Sequence, residues 1–359
     1  MSLAHEMEAV GIEAVETDLG EYIIQLAGEA PYHIIAPAIH KSQDQVAEMF
    51  SETTGTDPGQ TPEELTTTAR GILRETFQRA DMSVTGVNFA VAESGSIVLV
   101  TNEGNGRMCT SIPRVHVAVM GMEKIVPSMQ DLGMMLRILI RSATGQRISS
   151  YVTMINGPRR DEEEDGPEEF HLVIVDNGRM KLLADPKLRE ALYCLRCGAC
   201  LNACPVYRKV GGHSYGWVYP GPIGAVVSPV MSGLQQGKDL PFASSLCGAC
   251  REVCPVRIDI PNMLLHLRQK VVEGPPEERN IGWIERLGWK AWRFANMNSS
   301  RFHAGGMIAN VLGRPFARKG MFSRLPPPLS GWTRSRDLPI PASSPFRDRF
   351  KKRQSGGGE

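Results

Sequence analysis

Seven of the eight cysteines stand in two runs, Cys194-x2-Cys197-x2-Cys200-x3-Cys204-Pro205 and, after a loop of 42 residues, Cys247-x2-Cys250-x3-Cys254-Pro255. Thiolates at steps of three wind round one side of a cubane, and a further one followed by proline leaves the turn, which is the spacing of iron–sulfur ligands. In two-cluster sequences of this kind the cysteine before the proline ligates the neighbouring cluster. That rule predicts Cys194, Cys197, Cys200 and Cys254 on a first cluster and Cys204, Cys247 and Cys250 on a second. The second set is one thiolate short, because the position three residues before Cys247 is Ser244. A three-iron cluster, a four-iron cluster with a non-cysteine ligand such as Ser244, and an open iron site all fit that count. Tetrahedral zinc sites pair two separate CxxC units, so an uninterrupted run argues against zinc. A disulfide framework fits poorly where thiols crowd two short stretches and no export signal precedes them.

The elements that must position these thiols follow from the flanking sequence. Asp185-Pro186 caps a short helix that delivers Cys194, and Ile260 to Glu273 is predicted helical, with Met263, Leu264, Leu267 and Val271 on one face. That face should pack over a cluster. Between the runs, Gly211-Gly212-His213-Ser214-Tyr215-Gly216 and Tyr219-Pro220-Gly221-Pro222 read as an irregular, weakly charged cover that excludes water. A lone histidine such as His213 reads as a hydrogen-bonding core residue rather than an iron ligand.

The preceding chain alternates helices and strands. A helix-like stretch runs from Met1 to Gly11, followed by short strands at Ile12 to Val15 and His33 to Ala36 and a helix from Ser42 to Phe50. Thr61-Pro62-Glu63-Glu64 combines an N-cap, a first-turn proline and a capping box, so a helix should run to Arg79. Val84 to Ala92 and Ile97 to Thr101 read as a hairpin, and Asn102 to Arg107 as a loop of bared N–H groups. That loop is a structural turn rather than a dinucleotide fingerprint, since Cys109 replaces the third glycine and Pro113 follows. Strands at Val115 to Met120, Ser149 to Ile155 and Phe170 to Val175 and a helix at Met129 to Arg141 complete an α/β pattern. The carboxylates Asp161 to Asp165 read as a solvated loop. Cys109 reads as a buried, inert thiol.

At 359 residues and 42% hydrophobic content the chain has room for two domains, and no apolar run approaches the roughly 20 residues of a spanning helix. With no basic or apolar leader and with clustered free thiols, the expected compartment is cytoplasmic. Charge is lopsided: residues 1–70 carry 13 acidic and 2 basic side chains, residues 314–353 carry 11 basic and 2 acidic. The basic end reads as a solubilising tail, with docking to an acidic partner or an anionic membrane face as its functional alternative. Trp283, Trp289 and Trp292, in helical patterning over residues 281–312, read as core packing.

The chain resembles the lactate utilization protein B family along nearly its whole length. The resemblance rests on Glu16-Thr17-Asp18-Leu19-Gly20-Glu21-Tyr22, Thr101-Asn102-Glu103-Gly104-Asn105, Asp165-Gly166-Pro167-Glu168-Glu169-Phe170-His171, Val175-Asp176-Asn177-Gly178-Arg179, Gly211 to Gly216 and both cysteine runs, the missing eighth ligand included. It implies an α/β domain of the isomerase/CoA-transferase kind followed by an α-helical ferredoxin-type domain. It also implies two iron–sulfur clusters of the 4Fe-4S type and an electron-transfer role in oxidation of L-lactate to pyruvate with two partner proteins, one of them cysteine-rich. Members of that family carry a segment before the position matching Met1. The expectation is therefore a truncated reading frame or an α/β domain lacking strands of its first sheet, with an unpaired edge and exposed apolar surface.

The predicted organisation is an α/β domain at 1–183, a two-cluster domain at 184–275, a helical packing region at 276–313 and a basic, proline-rich tail at 314–359. The leading functional expectation is a non-catalytic iron–sulfur subunit relaying electrons between two clusters. One alternative is a hydroxy-acid dehydrogenase using its own α/β site, with Glu103 as base and Arg107 as carboxylate clamp. Another is an iron–sulfur scaffold or sensor that binds through its basic tail. A peripheral membrane contact through that tail is a further expectation.

Overall fold

The computed structural model describes residues 3–327 and 329–355. Met1, Pro328 of the triple proline and Gly356 to Gly358 lie outside the described residues. The chain divides into two compact units, Met1–Asn280 and Ile281–Glu359.

The first unit opens with helices α1 (Leu3–Ala9), α2 (Leu19–Ala27), α3 (Gln43–Thr54) and α4 (Pro62–Arg79). The capping box of α4 forms as its sequence predicts: Thr61 Oγ1 accepts from the Glu64 N–H and the Glu64 carboxylate accepts from the Thr61 N–H. Tyr22, Ala47, Phe50, Leu65, Ala69, Leu73 and Phe77 bury one face of each of α2, α3 and α4 in a common core.

Two sheets follow. Strands β1 (Met82–Gly86), β4 (Val115–Gly121) and β7 (Glu169–Val175) form a parallel sheet in the order β1-β4-β7. Strands β2 (Phe89–Val91), β3 (Ser96–Thr101), β5 (Ile125–Val126) and β6 (Tyr151–Ile155) form a second, ordered β5-β2-β3-β6. The expected hairpin is β2 and β3, paired antiparallel. The run Val84 to Ala92 breaks in two, because Val84 pairs with Val117 in the parallel sheet while Phe89 pairs with Val98 in the mixed one. Helices α5 (Asn105–Ser111) and α6 (Met129–Thr144) connect the strands. Residues 105–107, expected in a loop, therefore belong to the first turns of a helix that starts after Gly104. β6 and β7 leave Val152, Met154, Val173 and Ile174 exposed.

Two expected strands do not form. Residues 12–15 are irregular, with the Glu16 N–H and the Ala14 carbonyl both satisfied by Gln25. Residues 33–36 lack a strand partner, because this stretch and its neighbours are tied to the ferredoxin-type half: Tyr207 Oη donates to the Tyr32 carbonyl at 2.8 Å and His213 Nε2 lies 2.8 Å from the Ala30 carbonyl.

The ferredoxin-type half runs through α7 (Arg179–Ala184), α8 (Ala199–Ala203), α9 (Tyr207–Val210), α10 (Gly221–Ser232), α11 (Leu234–Gly237), α12 (Ala249–Glu252) and α13 (Ile260–Glu273), and a 3-10 turn over Arg189–Tyr193 delivers Cys194. Its core holds Leu182, Leu201, Ile223, Ala225, Leu264 and Leu267, with the predicted α13 face Met263, Leu264, Leu267 and Val271 all buried. The irregular cover expected between the runs contains a 12-residue helix, α10, buried along most of its length. Its glycines and prolines read as loop punctuation, yet Pro222 occupies the first turn, where no amide partner is lost.

The second unit contains α14 (Trp283–Asn296), α15 (Ser299–Gly313), a short pair β8 (Met321–Phe322) and β9 (Leu338–Pro339), and α16 (Phe346–Ser355). Trp283, Trp289 and Trp292 are 76%, 55% and 59% exposed, so the expected core packing does not occur. Residues beyond Gly313 carry defined elements: Phe322 and Ile340 close on Gly313, and His303 pairs with Asp348 at 2.7 Å. No helix among the described residues is long and apolar enough to cross a membrane.

Candidate iron–sulfur site

Each cysteine run is wound by the same local device. A non-glycine residue in the left-handed region precedes one cysteine of each run and a left-handed glycine follows it: Arg196 (φ 64°) and Gly198 (φ 73°) flank Cys197, and Leu246 (φ 56°) and Gly248 (φ 87°) flank Cys247. Left-handed residues reverse the chain tightly, and a run of them placed on non-glycine positions is tolerated only where the surroundings enforce it. The short helices α8 and α12 then carry Cys200 and Cys250.

Four of the thiols converge. Cys194, Cys197, Cys200 and Cys254 line one narrow cavity, walled by Ile34, Ile223, Ile258 and Ile260. Cys254 thus lines the same cavity as three residues of the other run. Burial pushes the Cys197 thiol up, and repulsion from Cys194 and Cys254 adds to it. Burial likewise raises Cys200, with Cys194, Cys197 and Cys250 contributing. Cys250 is pushed up to about 11 by burial first and then by Cys204 and Cys247. Cys247 is exposed and its thiol is held low by the Ala249 N–H and the Ser245 side chain. Several buried thiols facing one another cannot all ionise without a cation between them, so the donor set and its apolar walls fit a thiolate-bound iron–sulfur group.

The backbone is arranged for anionic sulfur. The N–H groups of Arg196, Tyr207 and Ile258 donate to Sγ of Cys194, Cys204 and Cys254, each at 3.4 Å. The Ile223 N–H, in the first turn of α10, reaches Cys200, where the positive end of the helix favours negative charge. Beside Cys194 lies a charged group that sequence reasoning missed: Glu123 accepts from Arg179 and sits 3.5 Å from Arg196, whose guanidinium also covers the Tyr219 ring at 4.5 Å. Lys124 is half-buried in the same group, and burial and then Arg196 push its ammonium down. Arg179, Arg196 and Tyr219 fall in stretches the sequence singled out, whereas Glu123 and Lys124 do not.

His213 is exposed rather than a core residue, and its nitrogen meets a backbone carbonyl. Cys109 is buried, 3.6 Å from Thr17 Oγ1, with its thiol raised by burial, as an inert thiol requires.

A second cavity, of about 670 Å³, opens in the α/β half and is lined by Asp18, Glu21, Asn102 and Glu103. It brings together the motifs around residues 16–22 and 101–105. Burial and then Asp18 push Glu21 up to about 8, and Glu103 is raised by burial and Asp18. Arg107, paired with Glu103 in the sequence reading, is exposed on α5 and does not line this cavity, because the turn into helix carries it away.

Comparison with known proteins gives a consistent result across the chain. Residues 2–175 match the model of the LUD domain, residues 190–258 that of the 4Fe-4S dicluster domain, and residues 266–355 that of the lactate utilisation protein B C-terminal region. Lactate utilization protein B of Shouchella clausii is 48% identical over 99% of this chain and 74% of its own length. The proteins of that name from Macrococcus caseolyticus and Bacillus pumilus are 49% and 50% identical, over 100% and 97% of this chain and 75% and 73% of theirs.

Proposed function

The chain belongs to the lactate utilization protein B family, and from that premise we propose that it is the iron–sulfur electron-transfer subunit in oxidation of L-lactate to pyruvate. Cys194, Cys197, Cys200 and Cys254 hold one cluster, and Cys204, Cys247 and Cys250 supply three thiolates to a second. The observation that carries this reading is Cys254 on the wall of the cavity made by the first run, which supports exchange of ligands between runs. Bound there, each cluster supplies a one-electron carrier.

The chain's own residues then do three things. The isoleucine walls exclude water from the first site. The N–H donors and the α10 terminus offset negative charge on sulfur. Interlocking of the runs keeps the two sites adjacent, so that electrons cross between them without leaving the protein. Oxidation of the hydroxy acid takes place on partner proteins of the lactate utilisation system. The basic second unit, with its exposed tryptophans, is their docking surface, and peripheral membrane contact through the tail belongs to the same reading.

The test mixes anaerobically prepared chain with its lactate-reduced partners and follows cluster absorbance. Bleaching is expected; clusters that stay oxidised contradict the role. A second reading is favoured by Glu21, a carboxyl with pKa near 8 on a cavity wall, which suits a general base for a hydroxy acid bound in the α/β half. Lactate turnover by the chain alone with an artificial acceptor, lost in Glu21→Gln, would establish it.

A further inference from the structure

The two cysteine runs are one structure repeated at an offset of 50 residues. Cys197, Cys200 and Cys204 correspond to Cys247, Cys250 and Cys254, Ala199 to Ala249, Pro205 to Pro255 and Val206 to Val256. The left-handed pairs Arg196/Leu246 and Gly198/Gly248 fall at the same offset. Carried one step toward the N-terminus, the offset sets Ser244 against Cys194.

At that step the two residues make the same bond. The Arg196 N–H donates to Cys194 Sγ at 3.4 Å, and the Leu246 N–H donates to Ser244 Oγ at 3.1 Å, each across two residues. A serine can close such a turn by itself. What singles out Ser244 is that its turn lies in register with three cysteine pairs and two pairs of left-handed residues.

The backbone of Ser244 is also fixed. Its N–H donates to the Phe242 carbonyl at 2.8 Å, and its carbonyl accepts from Arg268 Nη2 at 3.1 Å. Arg268, on α13, further donates from Nε to the Pro241 carbonyl at 2.8 Å and covers the Phe242 ring at 5.1 Å. The segment leading into the second run is thus held from Pro241 to Ser244 by Arg268.

We propose that Ser244 is the fourth protein ligand of the second cluster, binding iron through Oγ. The inference rests on the iron–sulfur reading above. The iron–oxygen bond forms as the hydroxyl proton leaves to solvent, with no change in oxidation state of either partner. Oxygen is a harder donor than sulfur and favours the more oxidised iron. The second cluster is therefore set to a lower potential than a four-thiolate cluster in the same loop would have.

The test compares wild type with Ser244→Ala, Ser244→Cys and Ser245→Ala as the full chain, purified and reconstituted without oxygen. Iron and sulfide are quantified, electron paramagnetic resonance is recorded in oxidised and reduced states, and each cluster is titrated potentiometrically. Ser244→Ala is expected to lose one iron per chain and to show an oxidised three-iron signal absent from wild type. Ser244→Cys should keep two four-iron clusters and raise the potential of one of them alone. Ser245→Ala, which removes the neighbouring hydroxyl beside Cys247, should match wild type. Wild-type spectra and iron content in Ser244→Ala would overturn the assignment. So would a three-iron signal in fully reconstituted wild type, or a loss of iron in Ser245→Ala equal to that in Ser244→Ala. Zinc without sulfide in wild type would instead overturn the iron–sulfur reading beneath it.

Discussion

Arg196 and Glu123 meet beside the first cysteine run, with Nη2 3.5 Å from Oε1, while the Arg196 backbone N–H donates to Cys194 Sγ at 3.4 Å. One residue therefore ties the loop that presents the thiols to a carboxylate at the end of β4. Positive charge close to a cluster stabilises its reduced, more negative state. Arg196→Met should lower the potential of the first cluster by on the order of tens of millivolts, leaving the second nearly unchanged. Redox titration followed by electron paramagnetic resonance reads this directly, and an equal shift of both clusters would contradict a local effect.

Among the described residues, Glu123 is the carboxylate that pairs with both Arg179 and Arg196, and its side chain is 4% exposed. Removing it leaves two guanidinium groups facing one another in a largely dry setting. Glu123→Ala should cost about 3–5 kcal/mol of stability, the range for a buried pair broken on one side. Urea unfolding measures it, and a loss under ~1 kcal/mol would mean that water reaches this network freely.

Asp185 joins the segment before Cys194 to α13. Burial opposes its ionisation, yet the Lys187 N–H, Lys270 and His266 outweigh burial and hold its pKa at about 2 against an ordinary 3.8. A carboxylate depressed on folding stabilises the fold above its unfolded pKa, and that contribution fades as pH falls from about 4 through 2. That contribution is largest at neutral pH and is reduced by the solvent that screens the pair. Asp185→Asn should remove it at pH 7 and narrow the gap to wild type at pH 2. A gap that is constant with pH would contradict the linkage.

Glu21 works in the opposite direction. Its carboxyl is raised from 4.5 to about 8, by burial first and then by its bond to and repulsion from Asp18. A carboxyl raised on folding favours the fold while protonated in both states, and stability falls as pH rises from 4.5 toward 8. Glu21→Gln should flatten that slope and raise the melting temperature at pH 8. A variant with the wild-type slope would place the titration elsewhere.

What the sequence made legible was the part governed by short-range rules. Thr61 to Glu64 formed its capping box, and Met263, Leu264, Leu267 and Val271 buried the expected face. The failures have a shared cause in long-range partners. Residues 33–36 lack a strand because their neighbours spend backbone groups on Tyr207 and His213, more than 170 residues away. α10 is buried nearly all round, so it has no amphipathic period to betray it. Glu123 and Lys124 sit in a 3-10 turn with no motif, and their meeting with Arg196 is set by the docking of two halves of one unit. Trp283, Trp289 and Trp292 carried a period that fits burial equally well with or without a partner, and the chain alone does not bury them.

The measurement that bears most directly on the central claim is iron and sulfide content of the anaerobically purified chain, joined to electron paramagnetic resonance before and after reduction. An electron-transfer subunit with two interlocked cysteine sets should hold about eight iron and eight sulfide per chain, in two clusters that reduce separately and couple magnetically. Zinc bound without sulfide, or a single cluster that persists when either run is altered, would contradict it.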